Sequence, residues 1–389
     1  FFSSSSVPVE GSMDVEGQDL DRQNKDAPPQ MNKGLRRALI AVNCVLMAIG
    51  NAGGPLLLRL YYHNGGRRQW LSGWLETGGW PIVFLPLLVS YLHRRRRLLL
   101  GPGHRHQPPA KLFFITRPLF LCCAALGLLL GLDDFLYAYG LSFLPVSTSA
   151  LLISAQLVFT AFFAFVLVKQ QFTPYSINSV VLLTVGAVML GLHVSSDRPN
   201  NVTRREYYMG FVLTLGAAAV YGLFLPLVEL TYTKAKQTIT YTLVMEMQMV
   251  MGFFATAFCT VGMLVNKDFQ VTRLFPPLCA IPREAQHHEQ GEFRYYVVLV
   301  WCAILWQFLF LGTVGVIFCV NTLLAGVLIA VFIPVTEVFA VIFFKEKFGS
   351  EKGVALALSL WGLASYSYGE YRQGKRGQNM AADLSNQPV

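Results

Sequence analysis

Apolar residues in this chain fall into long blocks near the ~20-residue length that an α-helix needs to span a bilayer, joined by polar links. The pattern predicts ten such helices, the first five at Ala38–Leu60, Leu71–Leu92, Leu119–Leu141, Val146–Val168 and Ile177–Val194. The second five are Met209–Leu230, Leu243–Val265, Tyr296–Phe318, Thr322–Phe344 and Val354–Tyr368. Short links after the third, fourth, eighth and ninth blocks favour adjacent antiparallel helices. The longest link, Asn266 to Tyr295, carries Pro276-Pro277 and His287-His288 and reads as an exposed loop.

The two halves resemble each other. The offset from Phe163 to Phe339 also pairs Ala164 with Ala340, Lys169 with Lys345, Phe172 with Phe348, Gly186 with Gly362 and Gly34 with Gly210. Five is an odd number of crossings, so the second half enters from the opposite side. The predicted fold is therefore an all-α membrane protein of about ten transmembrane helices, arranged as two inverted five-helix repeats. Secondary transporters use such repeats to place a site near mid-membrane. The predicted organisation is a disordered cytosolic tail over 1–34, a first repeat over 35–195 and an extracytosolic linker over 196–208. A second repeat over 209–372 and a disordered cytosolic tail over 373–389 complete it.

Composition agrees: of 389 residues, 54% are hydrophobic and 14% charged, against about 25% charged in soluble domains. A soluble enzyme is disfavoured. The net charge of +9 would suit nucleic acid, but its placement points elsewhere. Lys33, Arg36, Arg37, the run Arg94 to Arg97, Arg105, Lys111 and Arg117 all fall on one side if the N-terminus is inside. Cytosolic loops concentrate such residues, so both termini are expected in the cytosol and no nucleic-acid partner is expected. Asn201-Val202-Thr203 is a glycosylation sequon that would face outward.

The informative charges are the acids inside the apolar blocks: Glu76, Asp133, Asp134, Glu229, Glu246 and Glu337. A carboxylate in hydrocarbon costs about 2.5 kcal/mol or more, so each needs a cavity, a partner or a proton. Glu229 lies near a helix end, where a long side chain reaches the interface. Glu76, Asp133, Asp134 and Glu246 are the candidate proton-coupling residues, since a carboxyl that loads and releases a proton is what a proton-driven carrier requires. Asp133 and Asp134 point about 100° apart on a helix, so one of the two is expected to face a cavity. By i, i+4 spacing Asp133 shares a face with Tyr137, and Glu76 with Trp80. An acid beside a flat ring suits a planar nitrogen heterocycle, which stacks while donating N–H to the carboxylate.

Gly50-Asn51-Ala52-Gly53-Gly54-Pro55 is expected to interrupt the first span and free carbonyls toward a cavity, with the alternative of close helix packing at small residues. The fourth block opens with Ser147, Thr148, Ser149, Ser154 and Gln156. Gln156 offers donors and an acceptor for a purine edge, with Gln248 and Gln307 behind it. Candidate substrate-binding residues are thus Asn51, Trp80, Tyr137, Gln156, Gln248 and Gln307. The seven cysteines show no CxxC or metal spacing. No P-loop, HExxH or nucleophile-elbow motif stands in its required context, so no catalytic residues, metal or cofactor are expected beyond a proton gradient.

Several stretches together resemble the plant purine permeases of the drug/metabolite transporter superfamily. They are Gly53-Gly54-Pro55-Leu56-Leu57 with Arg59-Leu60-Tyr61, Trp70-Leu71-Ser72 through Thr77-Gly78-Gly79-Trp80-Pro81, and Gly131-Leu132-Asp133-Asp134-Phe135-Leu136-Tyr137. Leu144-Pro145-Val146-Ser147-Thr148-Ser149, Tyr221-Gly222 with Leu225-Pro226, Glu246 with Gln248-Met249-Val250, and Trp361-Gly362 with Tyr368-Gly369-Glu370-Tyr371 complete the set. The resemblance covers Leu35 to Tyr371. It implies ten helices and proton-coupled import of adenine, cytokinin bases and related alkaloid-like heterocycles, with the plasma membrane favoured over vacuolar or endoplasmic reticulum membrane. The expected partners are that small-molecule substrate and the lipid bilayer; oligomeric state is left open. The alternatives are another exchanger of the superfamily, for nucleotide sugars or organic metabolites, and a carrier specific for alkaloids. An anion carrier should show Lys or Arg within the spans, where Arg59 alone comes close.

Overall fold

The computed structural model describes residues 33–64, 66, 68–100, 113–144, 149, 152–153, 155–170, 172–192, 203–235, 237–266, 285–286, 291–344, 350, 353–354, 357–358, 360–369 and 371–372. Its helices are α1 (Lys33–His63), α2 (Gln69–Thr77), α3 (Phe84–Leu100), α4 (Arg117–Phe143), α5 (Gln156–Phe163), α6 (Pro174–Leu192), α7 (Arg204–Lys234), α8 (Tyr241–Val265), α9 (Glu292–Cys319) and α10 (Thr322–Phe344). No strand occurs among the described residues. Six helical stretches among them are long and apolar enough to cross a membrane: Gly34–Tyr62, Gln69–Arg96, Arg117–Phe143, Arg204–Lys234, Tyr241–Val265 and Glu292–Cys319. Residues 360–369 are also helical, within the last predicted block. Residues 1–32 and 373–389 of the tails, 196–202 of the linker with the sequon residues Asn201 and Val202, and Ser147, Thr148, Ser154, Arg105 and Lys111 lie outside the described residues, while Lys33 and Gly34 already belong to α1.

The helix starts follow local chemistry. Thr203 and Glu206 form a reciprocal cap on α7: the Glu206 N–H donates to the Thr203 hydroxyl at 3.3 Å, and the Thr203 N–H donates to the Glu206 carboxylate at 2.8 Å. This satisfies two of the amide groups that every helix start leaves unpaired. Thr240 caps α8 by accepting from the Leu243 N–H at 3.3 Å. Glu229, expected to reach the interface, accepts the Thr322 N–H at 2.7 Å, placing a carboxyl group at the start of α10. Arg36 reaches the other side of the same turn, donating through Nε at 3.0 Å and Nη2 at 2.7 Å to the Cys319 carbonyl that ends α9. Each side chain suits the dipole of the helix end it meets.

The predicted interruption of the first span does not occur there. α1 runs unbroken through Pro55, because its glycines let α9 come very close. A Cβ at Gly50 would stand 2.6 Å from the Leu305 carbonyl oxygen, and one on α9 at Gly312 would stand 2.7 Å from the Met47 nitrogen. The small residues therefore make an antiparallel helix contact, as small residues do in lipid where packing replaces the hydrophobic drive. The break falls in the second span instead. α2 ends at Thr77, where the Gly78 N–H donates to the Trp74 carbonyl at 2.7 Å, and a short 3₁₀ turn, Trp80–Val83, leads into α3. Gly78-Gly79 and Pro81 supply the weakness that the hydropathy pattern hides.

α4 and α7 pack along each other, with α8 and α2 against α4 and α9 against α1. The buried core joins Leu130, Tyr221, Phe224, Met251 and Phe310. Large apolar side chains such as Leu85, Leu121, Phe162 and Val212 remain exposed on the outside, which water would penalise and lipid does not. Cys123, Cys259, Cys302 and Cys319 are buried and unpaired, Cys44 is half-buried and Cys122 exposed.

Candidate functional site

A cavity lies between α1, α2, α4, α5, α7, α9 and α10. Its volume is about 100 Å³ for the centres of water-sized molecules, against roughly 10–15 Å³ on that measure for one water. A small planar molecule is therefore a reasonable guest. Polar side chains reach it from α1, α2, α4, α5, α7 and α10.

α1 contributes Asn51 and Pro55. Proline has no N–H, so the carbonyl four residues earlier loses its helical donor. That carbonyl belongs to Asn51, and it lies 3.3 Å from the Thr336 hydroxyl of α10, whose one proton it shares with the Phe332 carbonyl at 2.9 Å. The Asn51 amide in turn donates to the Ile329 carbonyl at 3.4 Å. The carbonyl is thus freed at the cavity as expected, although the helix itself continues.

α2 contributes Glu76 and α4 contributes Asp133, Asp134 and Tyr137. All three acids are buried, at 1%, 7% and 2% exposure for Glu76, Asp133 and Asp134. Both aspartates line the cavity, where spacing alone suggested one. Glu76 and Asp134 face the same cavity from α2 and α4. Two carboxyl groups in contact bond to each other only with a proton between them. Glu76 Oε1, Asp133 Oδ1 and Asp134 Oδ2 meet no protein donor, and Gln156 Nε2 on α5 meets no acceptor. Buried polar atoms are nearly always paired, so these four mark where a ligand or water would bind. None of the described residues lining the cavity is Lys, Arg or His.

Aromatic rings form the remaining wall. Tyr137 meets Trp306 edge-on at 6.1 Å, and Trp306 stacks on Phe310, also at 6.1 Å, with planes 29° apart. Tyr221 of α7 lies 6.5 Å from Phe310. Gly54 makes room for Trp306: a Cβ there would sit 3.0 Å from the indole. Sequence reasoning selected Gln307 on this helix and missed its neighbour Trp306, together with Phe310, Tyr221 and Thr336. Their signal, an aromatic at helical spacing, is the same one that any core position gives.

Four expected site residues lie elsewhere. Trp80 does not share a face with Glu76, because α2 stops at Thr77 and i, i+4 spacing no longer applies. Its Cβ stands over Gly252, and its ring meets Phe253 edge-on at 5.5 Å. Gln307 is buried beside Gly79, its Cβ 2.7 Å from where a Gly79 Cβ would be, and Gln248 is equally buried on α8. Glu246 holds the chain entering α4: its Oε2 accepts the Phe114 N–H at 2.7 Å and the Ile115 N–H at 3.0 Å. Arg94 lies over the Phe114 ring, 4.4 Å from its centroid.

Membrane-length helices enclosing acids and rings around a small-molecule cavity are the features of a multi-pass membrane carrier. A family described as purine nucleobase transmembrane transport matches residues 38–376, and the chain belongs to it. It is 49% identical over 340 residues to purine permease 3 of Arabidopsis thaliana, covering 87% of this chain and 92% of that one. Purine permease 2 of Arabidopsis thaliana is 49% identical over 358 residues, covering 91% and 98%. A solved protein crystal structure shares the fold, with TM-score 0.51 and 14% identity over 86% of this chain and 97% of that chain.

Proposed function

We propose that this chain imports purine nucleobases, adenine and cytokinin bases among them, together with protons, by alternating access around the cavity. Family membership supports the purine class. The observation that carries the coupling is the grouping of Glu76, Asp133 and Asp134 in one cavity whose described lining has no basic side chain. A neutral heterocycle donating N–H to the unpaired carboxyl oxygens and accepting from Gln156 Nε2 would rest against the ring wall of Tyr137, Trp306 and Phe310. In the proposed arrangement ten helices form two inverted five-helix repeats in the plasma membrane, with both termini in the cytosol.

The driving force is adequate. A ~100 mV potential supplies about 2.3 kcal/mol per charge, and each pH unit about 1.4 kcal/mol. With one proton per substrate, their sum supports roughly a few-hundred-fold accumulation. The test is uptake of labelled adenine by cells lacking their own purine carrier, with a cytokinin base and an alkaloid as competitors. Accumulation that collapses with a protonophore is expected. Accumulation that survives it would remove proton coupling.

A further inference from the structure

The short helix α2 meets α4 at two points. At one end Glu76 and Asp134 meet on the cavity wall. At the other, Trp70 stacks on Phe135 with centroids 3.8 Å apart and planes 17° apart. Asp134 and Phe135 are consecutive, so both ties pull on the same turn of α4. Between them Gly73 lies flat on that turn, and a Cβ there would be 3.5 Å from the Asp134 carbonyl. Trp70 is held from behind by Gly262 of α8, whose Cβ position falls against the indole, and by Phe258 at 6.2 Å. The ring column continues along α4, with Phe135 and Tyr139 stacked at 5.6 Å and 15°.

α2 has nine residues and is cut off from α3 by Gly78 and Gly79. α2 is also fastened to α8, where the Trp74 indole N–H donates to the Thr260 hydroxyl at 3.1 Å and the Thr256 hydroxyl donates to that of Thr77 at 3.1 Å. On the α4 side, the carboxyl pair and the ring stack set its register. The carboxyl tie exists only while a proton is shared; two ionised carboxylates in contact repel. The ring tie does not depend on a proton.

We propose that the Trp70–Phe135 stack is the positioning element that holds Glu76 against Asp134, so that the α2–α4 seam tightens and loosens with the proton the pair carries. This deepens the proton-coupled reading above and rests on it. When the pair releases its proton to water on the open side, repulsion separates the carboxyls while the stacked rings keep α2 in register, and the pair re-forms on reprotonation. The titratable groups facing the pair are Asp133 and Tyr137 on α4, Tyr221 on α7, Cys259 on α8 and Cys302 on α9. On α1 the nearest charge in sequence is Arg59, one turn beyond Pro55 and not among the cavity-lining residues.

Two measurements test this. In uptake assays Trp70→Leu is expected to lower the maximal rate ~10-fold, with KM changed less than ~3-fold, because a small misplacement of reacting groups weighs on turnover. It is also expected to displace the pH profile, and Trp70→Phe, which keeps a ring on Phe135, is expected to restore most of both. A normally expressed Trp70→Leu protein with the wild-type pH profile would overturn the proposal. The second measurement needs no substrate. The fluorescence difference between purified wild-type protein and Trp70→Phe reports Trp70 alone; it is expected to change with pH and to stop changing in an Asp134→Asn background. A difference signal that ignores pH overturns the seam even if adenine uptake is proton-driven. A titrating signal without adenine uptake overturns the functional reading and leaves the seam standing.

Discussion

The Asn51 carbonyl lies 3.3 Å from the hydroxyl of Thr336, across the cavity wall from α1 to α10, and shares its proton with the Phe332 carbonyl at 2.9 Å. The bond exists because Pro55, four residues on, has no N–H to offer. A proline that usually bends a helix here leaves an acceptor pointing at a neighbouring helix, and the neighbour satisfies it.

Thr336→Val removes that donor while keeping the shape, leaving a buried carbonyl unpaired at a cost of about 1–3 kcal/mol. Pro55→Ala returns the helical donor. The double variant is therefore expected to melt above Thr336→Val alone, and thermal unfolding in detergent followed as a mutant cycle measures the difference. Strictly additive losses would separate the two residues.

Asp133→Asn keeps the size of the side chain and removes its charge. Labelled adenine uptake is expected to fall and its pH dependence to flatten, with surface expression unchanged. A wild-type pH profile would take Asp133 out of the coupling machinery.

Glu246→Gln should behave differently. Its carboxylate anchors two backbone N–H groups ahead of α4, and charge-assisted bonds of this kind are worth about 1.5–3 kcal/mol. A lower melting temperature is expected, with the pH midpoint of residual uptake unmoved. Movement of that midpoint would assign Glu246 to the proton path after all.

Gly50 and Gly216 make a contrast within helices of similar length. Gly50→Ala drives a methyl group into the α9 backbone and is expected to destabilise by about 1–3 kcal/mol. Gly216 on α7 has nothing within 4 Å of its Cβ position, so Gly216→Ala is expected to be neutral or to stabilise by about 0.5–1 kcal/mol through helix propensity. Melting temperatures of the two variants check both. Equal effects would show that the α1–α9 approach is not set by Gly50.

The apolar blocks, the acids within them and the family were legible in the sequence because each is a local property. Bilayer length shows in a run of residues, a costly carboxylate shows by its type, and motifs such as Leu132-Asp133-Asp134-Phe135 are contiguous. Asn51, Glu76, Asp133, Asp134, Tyr137 and Gln156 could be chosen on those grounds, and all six line the cavity. Trp80, Gln248, Gln307 and Glu246 have the same chemistry and lie elsewhere. Which side of a helix faces the cavity depends on its neighbours, and the Gly78-Gly79 break turns Trp80 off the face that periodicity gave it. Glu246 found its partners in the backbone of residues more than a hundred positions away. Tertiary packing alone decided that Trp306 rather than Gln307 meets the cavity, that the glycines of α1 serve contact with α9, and that Glu76 reaches Asp134. Those outcomes are distances between helices, and no single helix's sequence contains them.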